Sequence, residues 1–283
     1  RSLAWGGGGA RGWAHMGVLR MLERENSRIK CIAGTSMGAI VGALYAQKQN
    51  SHRVEEALKD FIQSPLFHNT NAATTQQKKT TSFLDFMAIE LCEQLKDSAK
   101  MRETIQRMDQ EMQHALDLLL GKGDIRDCRL PFAAVASDLR TGAEIVLRKG
   151  PLAQAVFASA AMPGVFSPVS IDGYLLSDGA ATSAVPIRAA RSMWPSKVLA
   201  VDVSSTLSTF PPLDNALQIV LRSSAVSGHC YHNELVKEAD ILLQPHVKLF
   251  SWSEFDSFED FIAEGEQAAI KALKKIKRAV RIY

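Results

Sequence analysis

Cysteine is scarce in this chain and scattered. The four residues Cys31, Cys92, Cys128 and Cys230 have neither the paired spacing of a zinc site nor the density of a disulfide framework. They read as reduced core residues. No group of histidines and carboxylates has metal-ligand spacing, so neither zinc nor calcium is expected, and no organic cofactor is called for. Long apolar runs are missing too: no stretch of about 18 or more apolar residues occurs, which excludes a hydropathic spanning helix. An excess of one charge is also lacking. With 33 Lys and Arg against 30 Asp and Glu, the net charge of +3 is too small to draw nucleic acid, although it would not oppose an anionic lipid surface. No leader precedes Ser2 and no methionine opens the sequence, which starts at Arg1 already inside a strand-like run. Upstream residues are therefore expected to lie outside this sequence. A cytoplasmic or peripheral-membrane address competes with that of a secreted or fused passenger domain.

What is present suits a globular enzyme. The 283 residues are 46% hydrophobic, enough to bury a large core as one α/β unit carrying an inserted subdomain. The chain is organised around Gly34-Thr35-Ser36-Met37-Gly38. This follows the short apolar run Ile32-Ala33 and precedes a helix-like stretch from Ala39 to Gln47. Strand, Gly-x-Ser-x-Gly and helix is the layout of a nucleophile elbow, in which Gly34 and Gly38 allow a sharp bend and close neighbours around an exposed serine. The helix that follows adds free amides and partial positive charge beside Ser36.

A second glycine cluster stands at the very start. Ser2 to Trp5 reads as a strand running into Gly6-Gly7-Gly8-Gly9-Ala10-Arg11-Gly12, and Ala14 to Arg24 reads as an amphipathic helix. Strand, glycine loop and helix form an anion-binding turn. Gly7-x-Gly9-x-x-Gly12 fits the dinucleotide fingerprint, but that fold needs an acid at the end of the second strand, where this chain has its serine elbow. Glu23 and Glu25 lie on the intervening helix, the wrong element. The competing reading is an oxyanion hole, with the amides of Gly8 and Gly9 aimed at the spot beside Ser36.

Four motifs in order, Gly7 to Gly12, Gly34 to Gly38, Ala158-Ser159-Ala160-Ala161-Met162-Pro163-Gly164-Val165-Phe166, and Asp178-Gly179-Ala180, together resemble the patatin-like phospholipases, particularly their bacterial branch. The resemblance covers Ser2 to about Val203 and is weakest between His52 and Asp127. It implies a three-layer α/β/α sandwich with a mostly parallel central sheet and an inserted helical cap. It also implies an acyl hydrolase of the phospholipase A or lysophospholipase type, with Ser36 as nucleophile, Asp178 as its base beside Gly179 and Ala180, and an oxyanion hole from Gly7, Gly8, Gly9, Ala10, Arg11 and Gly12. The partner implied is a phospholipid or another acyl-ester lipid, with peripheral membrane contact. A non-catalytic lipid-binding or regulatory protein on the same fold is the alternative. Retention of both Ser36 and Asp178 argues against it.

The rest of the chain fills in that frame. From about 51 to 123 an insertion is expected: a helix over Val54 to Ile62, a polar loop from Phe67 to Ser82, then apolar positions at helical spacing from Phe83 to Leu95 and again from Ile105 to Leu119. It is read either as a helical hairpin packed on the core or as a cap lining an acyl groove. Leu130 to Ala136 and Ala143 to Leu147 read as strands, Leu152 to Ala161 as a helix, and Asp172-Gly173 as the turn of a hairpin. Asp138, at a strand end, rivals Asp178 for the acid, although its turn setting favours loop capping. Lys197 to Val203 and Asp240 to Leu243 complete the strands, and Phe255 to Tyr283 forms a basic C-terminal helix. A histidine-dependent triad would have to come from His15, His52, His68, His114, His229, His232 or His246. Of these, His229 and His232 on the helix-like stretch Leu213 to Glu234 are the candidates.

Overall fold

The computed structural model describes residues 1–64, 98–205, 207, 216–247 and 251–278. In order these form β1 (Ser2–Trp5), α1 (Ala14–Arg24), β2 (Cys31–Thr35), α2 (Met37–Lys48), α3 (Ser51–Gln63), α4 (Ser98–Leu120), β3 (Phe132–Asp138), β4 (Glu144–Leu147), α5 (Leu152–Ala160), β5 (Val169–Ile171), β6 (Tyr174–Asp178), α6 (Ala180–Ser183), α7 (Ile187–Met193), β7 (Val198–Val201), α8 (Ala216–Leu235), β8 (Ile241–Leu243) and α9 (Phe258–Arg278). The strands make one sheet in the order β5-β6-β3-β2-β1-β7-β8, with β4 paired to β3. The run from β3 through β2, β1 and β7 to β8 is parallel throughout, while β4, β5 and β6 pair antiparallel.

Why the sheet is covered on both faces can be read along each strand. Leu3 and Trp5 of β1, Ile32 of β2, Phe132 and Ala134 of β3, and Leu199 and Val201 of β7 all enter one core. The residues between them, Ala4, Ala33, Val135, Val198 and Ala200, enter a second core. A period of two with apolar residues on both faces leaves no face for water, so helices must lie on each side. The larger core takes α1, α2, α3, α4, α5 and α9, and the smaller takes α7. The result is an α/β/α sandwich.

Two helices approach unusually closely. A Cβ on Gly17 of α1 would lie 2.0 Å from the Ile262 carbonyl, and one on Gly265 of α9 would lie 1.9 Å from the Ala14 carbonyl. The basic C-terminal helix is thus a packed element: Phe261, Ile262, Ala269 and Ile276 are buried, and the Lys277 ammonium pairs with Glu25. In the insertion, α4 sinks Met108, Met112, Leu116 and Leu120 into the larger core. The expected loop at Phe67 to Ser82 and helix at Phe83 to Leu95 lie outside the described residues.

Candidate active site

The sheet register builds the site. Ala134 and Val135 pair with Gly34 and Thr35 of β2 and also with Leu147 and Val146 of β4, so β2 and β4 flank opposite edges of β3. Ala136 and Ser137 pair with Ile145 and Glu144 of β4 and with Asp178 and Ser177 of β6. β6 therefore takes over the edge of β3 that β2 has just left. Thr35 sits opposite Val135 and Asp178 opposite Ala136, which brings the end of β6 against the elbow that follows Thr35.

At that elbow Ser36 has φ +55° and ψ −125°, a left-handed conformation that costs a non-glycine residue about 1–3 kcal/mol. Its neighbours leave no room for alternatives. A Cβ on Gly34 would meet the Gly38 carbonyl at 2.3 Å, and one on Gly38 would meet the Trp5 carbonyl at 2.2 Å. The strain is held by Ser159 at the end of α5. The Ser36 N–H donates to the Ser159 carbonyl at 3.2 Å and to its Oγ at 3.1 Å, while that Oγ donates to the Val135 carbonyl at 2.6 Å. The same Ser159 carbonyl accepts the Gly179 N–H at 3.3 Å. One buried serine thus ties the residue after β2 to the residue after β6. Sequence reasoning quoted its motif without assigning it a task, and its signal was a serine that, with Gln154, is one of two polar residues in a mostly apolar helix.

The Asp178 carboxyl accepts a hydrogen bond from the Ala180 N–H at 2.8 Å and lines the same cavity as Ser36, whose hydroxyl lies near enough to favour the ionised carboxylate. Burial pushes its pKa up to about 6, outweighing the Ala180 bond and the nearby Ser36 hydroxyl, which favour the ionised form. Gly179 is required by proximity, since a Cβ there would lie 2.2 Å from the Val135 carbonyl. Asp138 is occupied elsewhere. Its carboxylate accepts from the Thr141 N–H and hydroxyl and from the Leu175 N–H, capping the β3–β4 turn, and those bonds hold its pKa below the usual range.

The glycine loop stands against Ser36: a Cβ on Gly7 would come within 2.9 Å of the Ser36 Cβ. Its amides are not equivalent. Gly7 donates to the Ala184 carbonyl at 3.0 Å, Ala10 to Trp252 at 2.7 Å and Arg11 to Gly8 at 3.3 Å. The amides of Gly8 and Gly9 have no acceptor among the described residues. Gly9 has φ +57°, and a Cβ there would lie 2.3 Å from the Trp252 carbonyl. Gly12 makes room for the Met37 side chain. Arg11 is buried and donates from Nε to the Gly8 carbonyl at 3.2 Å; burial lowers its pKa to about 10, with Asp202 opposing. Since C=O and the following N–H of a trans peptide point in opposite directions, anchoring the Gly8 oxygen orients the Gly9 amide away from Arg11.

The histidines divide clearly. His15 is buried, stacks on Trp5 with ring centroids 5.0 Å apart, and donates from Nε2 to the Gly6 carbonyl at 2.8 Å; burial lowers its pKa to about 4, so it is neutral. His232 points Nε2 at both Asp202 Oδ2 and Ser204 Oγ, each at 3.1 Å, and its Nδ1 has no partner among the described residues. A relay needs serine and carboxylate on different ring nitrogens, so this cluster lacks triad geometry. Burial would raise the Asp202 carboxyl, yet bonds from His232, Ser204 and Gln244 prevail and hold it well below the usual range. His229 lines the same cavity as Ser36.

That cavity, of about 440 Å³, is lined by Gly8, Gly9, Ser36 and Asp178, with Met162, Leu235 and Trp252 among its apolar walls. No described residue of α3 or α4 lines it. Among the described residues no three His, Cys, Asp or Glu side chains gather as a metal site would require.

The family model for patatin-like phospholipases matches residues 3–191, which includes every motif of this site. The chain belongs to the patatin-like phospholipase family. An NTE family protein of Mycobacterium tuberculosis is 33% identical over 186 residues, covering 66% of this patatin-like chain and 44% of the relative. Human patatin-like phospholipase domain-containing protein 6 is 32% identical over 206 residues, 72% of this chain and 13% of that protein. The chain therefore spans less than half the length of these relatives. Among solved structures, VipD from Legionella pneumophila superposes with a TM-score of 0.50 at 13% identity, covering 96% of this chain and 66% of VipD, a likeness of fold. Among the described residues no helix is long and apolar enough to cross a membrane.

Proposed function

We propose that the chain is a serine-dependent lipid acyl hydrolase of the phospholipase A or lysophospholipase type, acting through an acyl-enzyme. The observation that carries this reading is the meeting of the β2 and β6 ends on one edge of β3, which sets Ser36 and a buried Asp178 carboxyl, its pKa raised by burial to about 6, in one cavity. A serine hydroxyl is a weak nucleophile unless a base takes its proton as it attacks. A carboxyl with pKa about 6 is mostly ionised at pH 7 yet is a stronger base than a solvated aspartate.

In the proposed cycle, Ser36 Oγ attacks the ester carbonyl carbon while its proton passes to Asp178. The carbonyl electron pair moves onto oxygen, where the Gly8 and Gly9 amides stabilise it. Collapse of this intermediate breaks the ester C–O bond, and the departing alkoxide takes the proton from Asp178. A water molecule then gives its proton to Asp178 and attacks the acyl carbon. The second intermediate releases the fatty acid and returns the proton to Ser36 Oγ. Arg11 acts by fixing the Gly8–Gly9 peptide, and Ser159 by fixing the elbow. The apolar walls of the cavity suit an acyl chain, and family membership supports a lipid ester.

The reading is tested by fluorophosphonate labelling and a lipid-ester panel on the native chain, with Ser36→Ala, Asp178→Asn and His232→Ala beside it. Labelling at Ser36, with hydrolysis lost in the first two variants and kept in the third, is expected. Unlabelled Ser36, or hydrolysis that survives Asp178→Asn but not His232→Ala, would reject the dyad.

A further inference from the structure

α8 is an odd surface helix. Over its whole length, Ala216–Leu235, it carries two Asp, Glu, Lys or Arg residues, Arg222 and, one residue from its end, Glu234. Nine large hydrophobic side chains are exposed among the described residues, and four of them, Ile219, Val220, Val226 and Tyr231, stand on this one helix at 41–60% exposure. An amphipathic surface helix turns charge to water and apolar residues inward. α8 carries apolar side chains on both sides, set among Ser223, Ser227 and Asn233 on the outer one.

Its two sides do different things. Ala225, Gly228, His232 and Leu235 recur at helical spacing and line the cavity that holds Ser36 and Asp178. Ile219 and Val226, two turns apart, lie on the opposite face with Cys230, which is exposed as well. Val220 and Tyr231 lie on one flank between the two faces, and Tyr231 itself lines the cavity. The exposed apolar strip is thus continuous with the cavity wall.

We infer that the outer strip of α8 seats in a lipid surface, so that one helix both docks the protein on a membrane and walls the path from that membrane to Ser36. The occupant follows from charge and continuity. From Ile219 to Cys230 the strip has no acidic residue to repel anionic headgroups, Glu234 at its C-terminal end is paired with the Lys237 ammonium, and its flank runs straight into an apolar cavity. A lipid ester leaving a bilayer along Tyr231 would pass from one apolar phase to another without crossing water. The choice of lipid rests on the proposed hydrolase reading, and binding is therefore measured apart from turnover.

The test uses the full chain carrying Ser36→Ala and vesicles of phosphatidylcholine with phosphatidylglycerol. Co-flotation of this protein with the vesicles is expected, together with a drop of about tenfold or more in the partition coefficient on adding Ile219→Glu and Val226→Glu. In the Ser36 chain the same two substitutions are expected to leave hydrolysis of a water-soluble short-chain ester unchanged. An environment-sensitive fluorophore on Cys230, with Cys92 and Cys128 replaced by serine, reads the intact helix. Its emission is expected to shift to the blue on vesicle addition. Failure of the parent protein to float, flotation indifferent to the glutamates, or an unshifted probe would overturn the inference. So would a parent dimer that the glutamates convert to monomer while flotation persists, since the strip would then cover a second copy. Failure of the hydrolase reading would appear separately, as absent ester cleavage beside intact flotation.

Discussion

Asp178→Asn is expected to destroy activity and stabilise the fold at neutral pH. The carboxyl ionises near 3.8 when unfolded and near 6 when folded. This is the reverse of the usual carboxylate case, because the folded value is raised. Below pH 3.8 both states are protonated and the group contributes nothing to the balance. Between the two values the unfolded chain has lost the proton and the folded chain keeps it, so stability falls as pH rises. Above pH 6 the full penalty is present, and two pKa units correspond to about 3 kcal/mol. Asparagine fills the same space, still accepts from the Ala180 N–H, and cannot ionise. All other titrations are common to both chains, so denaturant unfolding of the pair across pH 3.5–8 isolates this one group. The variant's advantage should be near zero at pH 3.5, grow between pH 4 and 6, and level off at about 3 kcal/mol. An advantage independent of pH, or a variant less stable than the parent at pH 8, would refute the claim that Asp178 is held strained and ready by burial.

Further expectations concern the same machinery. Ester kcat/KM should climb with pH through about 6 and then flatten, because the ionised Asp178 is the active form; a profile flat from pH 5 to 8 would remove it as the base. Gly9→Ala sets a Cβ 2.3 Å from the Trp252 carbonyl at φ +57°, and turnover should fall by about 10²–10³ as an oxyanion donor is displaced. A kinetic assay showing unchanged kcat would count against that role. Ser159→Ala removes an acceptor of the Ser36 N–H, and a loss of up to about 10²-fold in kcat at little change in KM is expected from the relaxed elbow. Gly265→Val drives a side chain into the Ala14 carbonyl and should cost about 1–3 kcal/mol in thermal or chemical unfolding without altering kcat in the folded fraction.

How much of this was legible in the sequence depended on whether a feature is local. The elbow and the glycine loop each need a bend that few residues permit, so Gly34, Gly38 and Gly9 announced themselves. The hairpin at Asp172-Gly173 did so as well, both residues having positive φ. Helix and strand ends moved by a few residues: the helix expected over Val54 to Ile62 spans Ser51–Gln63, and the strand placed at Lys197 to Val203 spans Val198–Val201. Contacts between distant segments left weaker traces. Nothing in the spacing of Ser159 says that its carbonyl will hold Ser36 and Gly179 together. His232 looked like a triad candidate because its partner nitrogen cannot be read from sequence, and the ring turned out to spend Nε2 on Asp202 and Ser204. The spacing of the insertion suits both a packed hairpin and a cap, and its described helix α4 buries Met108, Met112, Leu116 and Leu120 in the larger core.

The end-to-end meeting of β2 and β6 on one edge of β3 carries a further consequence. Because Val135 and Ala136 are consecutive rungs, the spacing of Ser36 and Asp178 is metered by the backbone of a single strand, about 3.4 Å per residue. Everything threaded between Ser36 and β3 can grow or shrink over evolutionary time without retuning the chemistry. In the proposed mechanism the serine half of the site is incomplete without β6, which brings Asp178 onto the part of that edge that β2 leaves free.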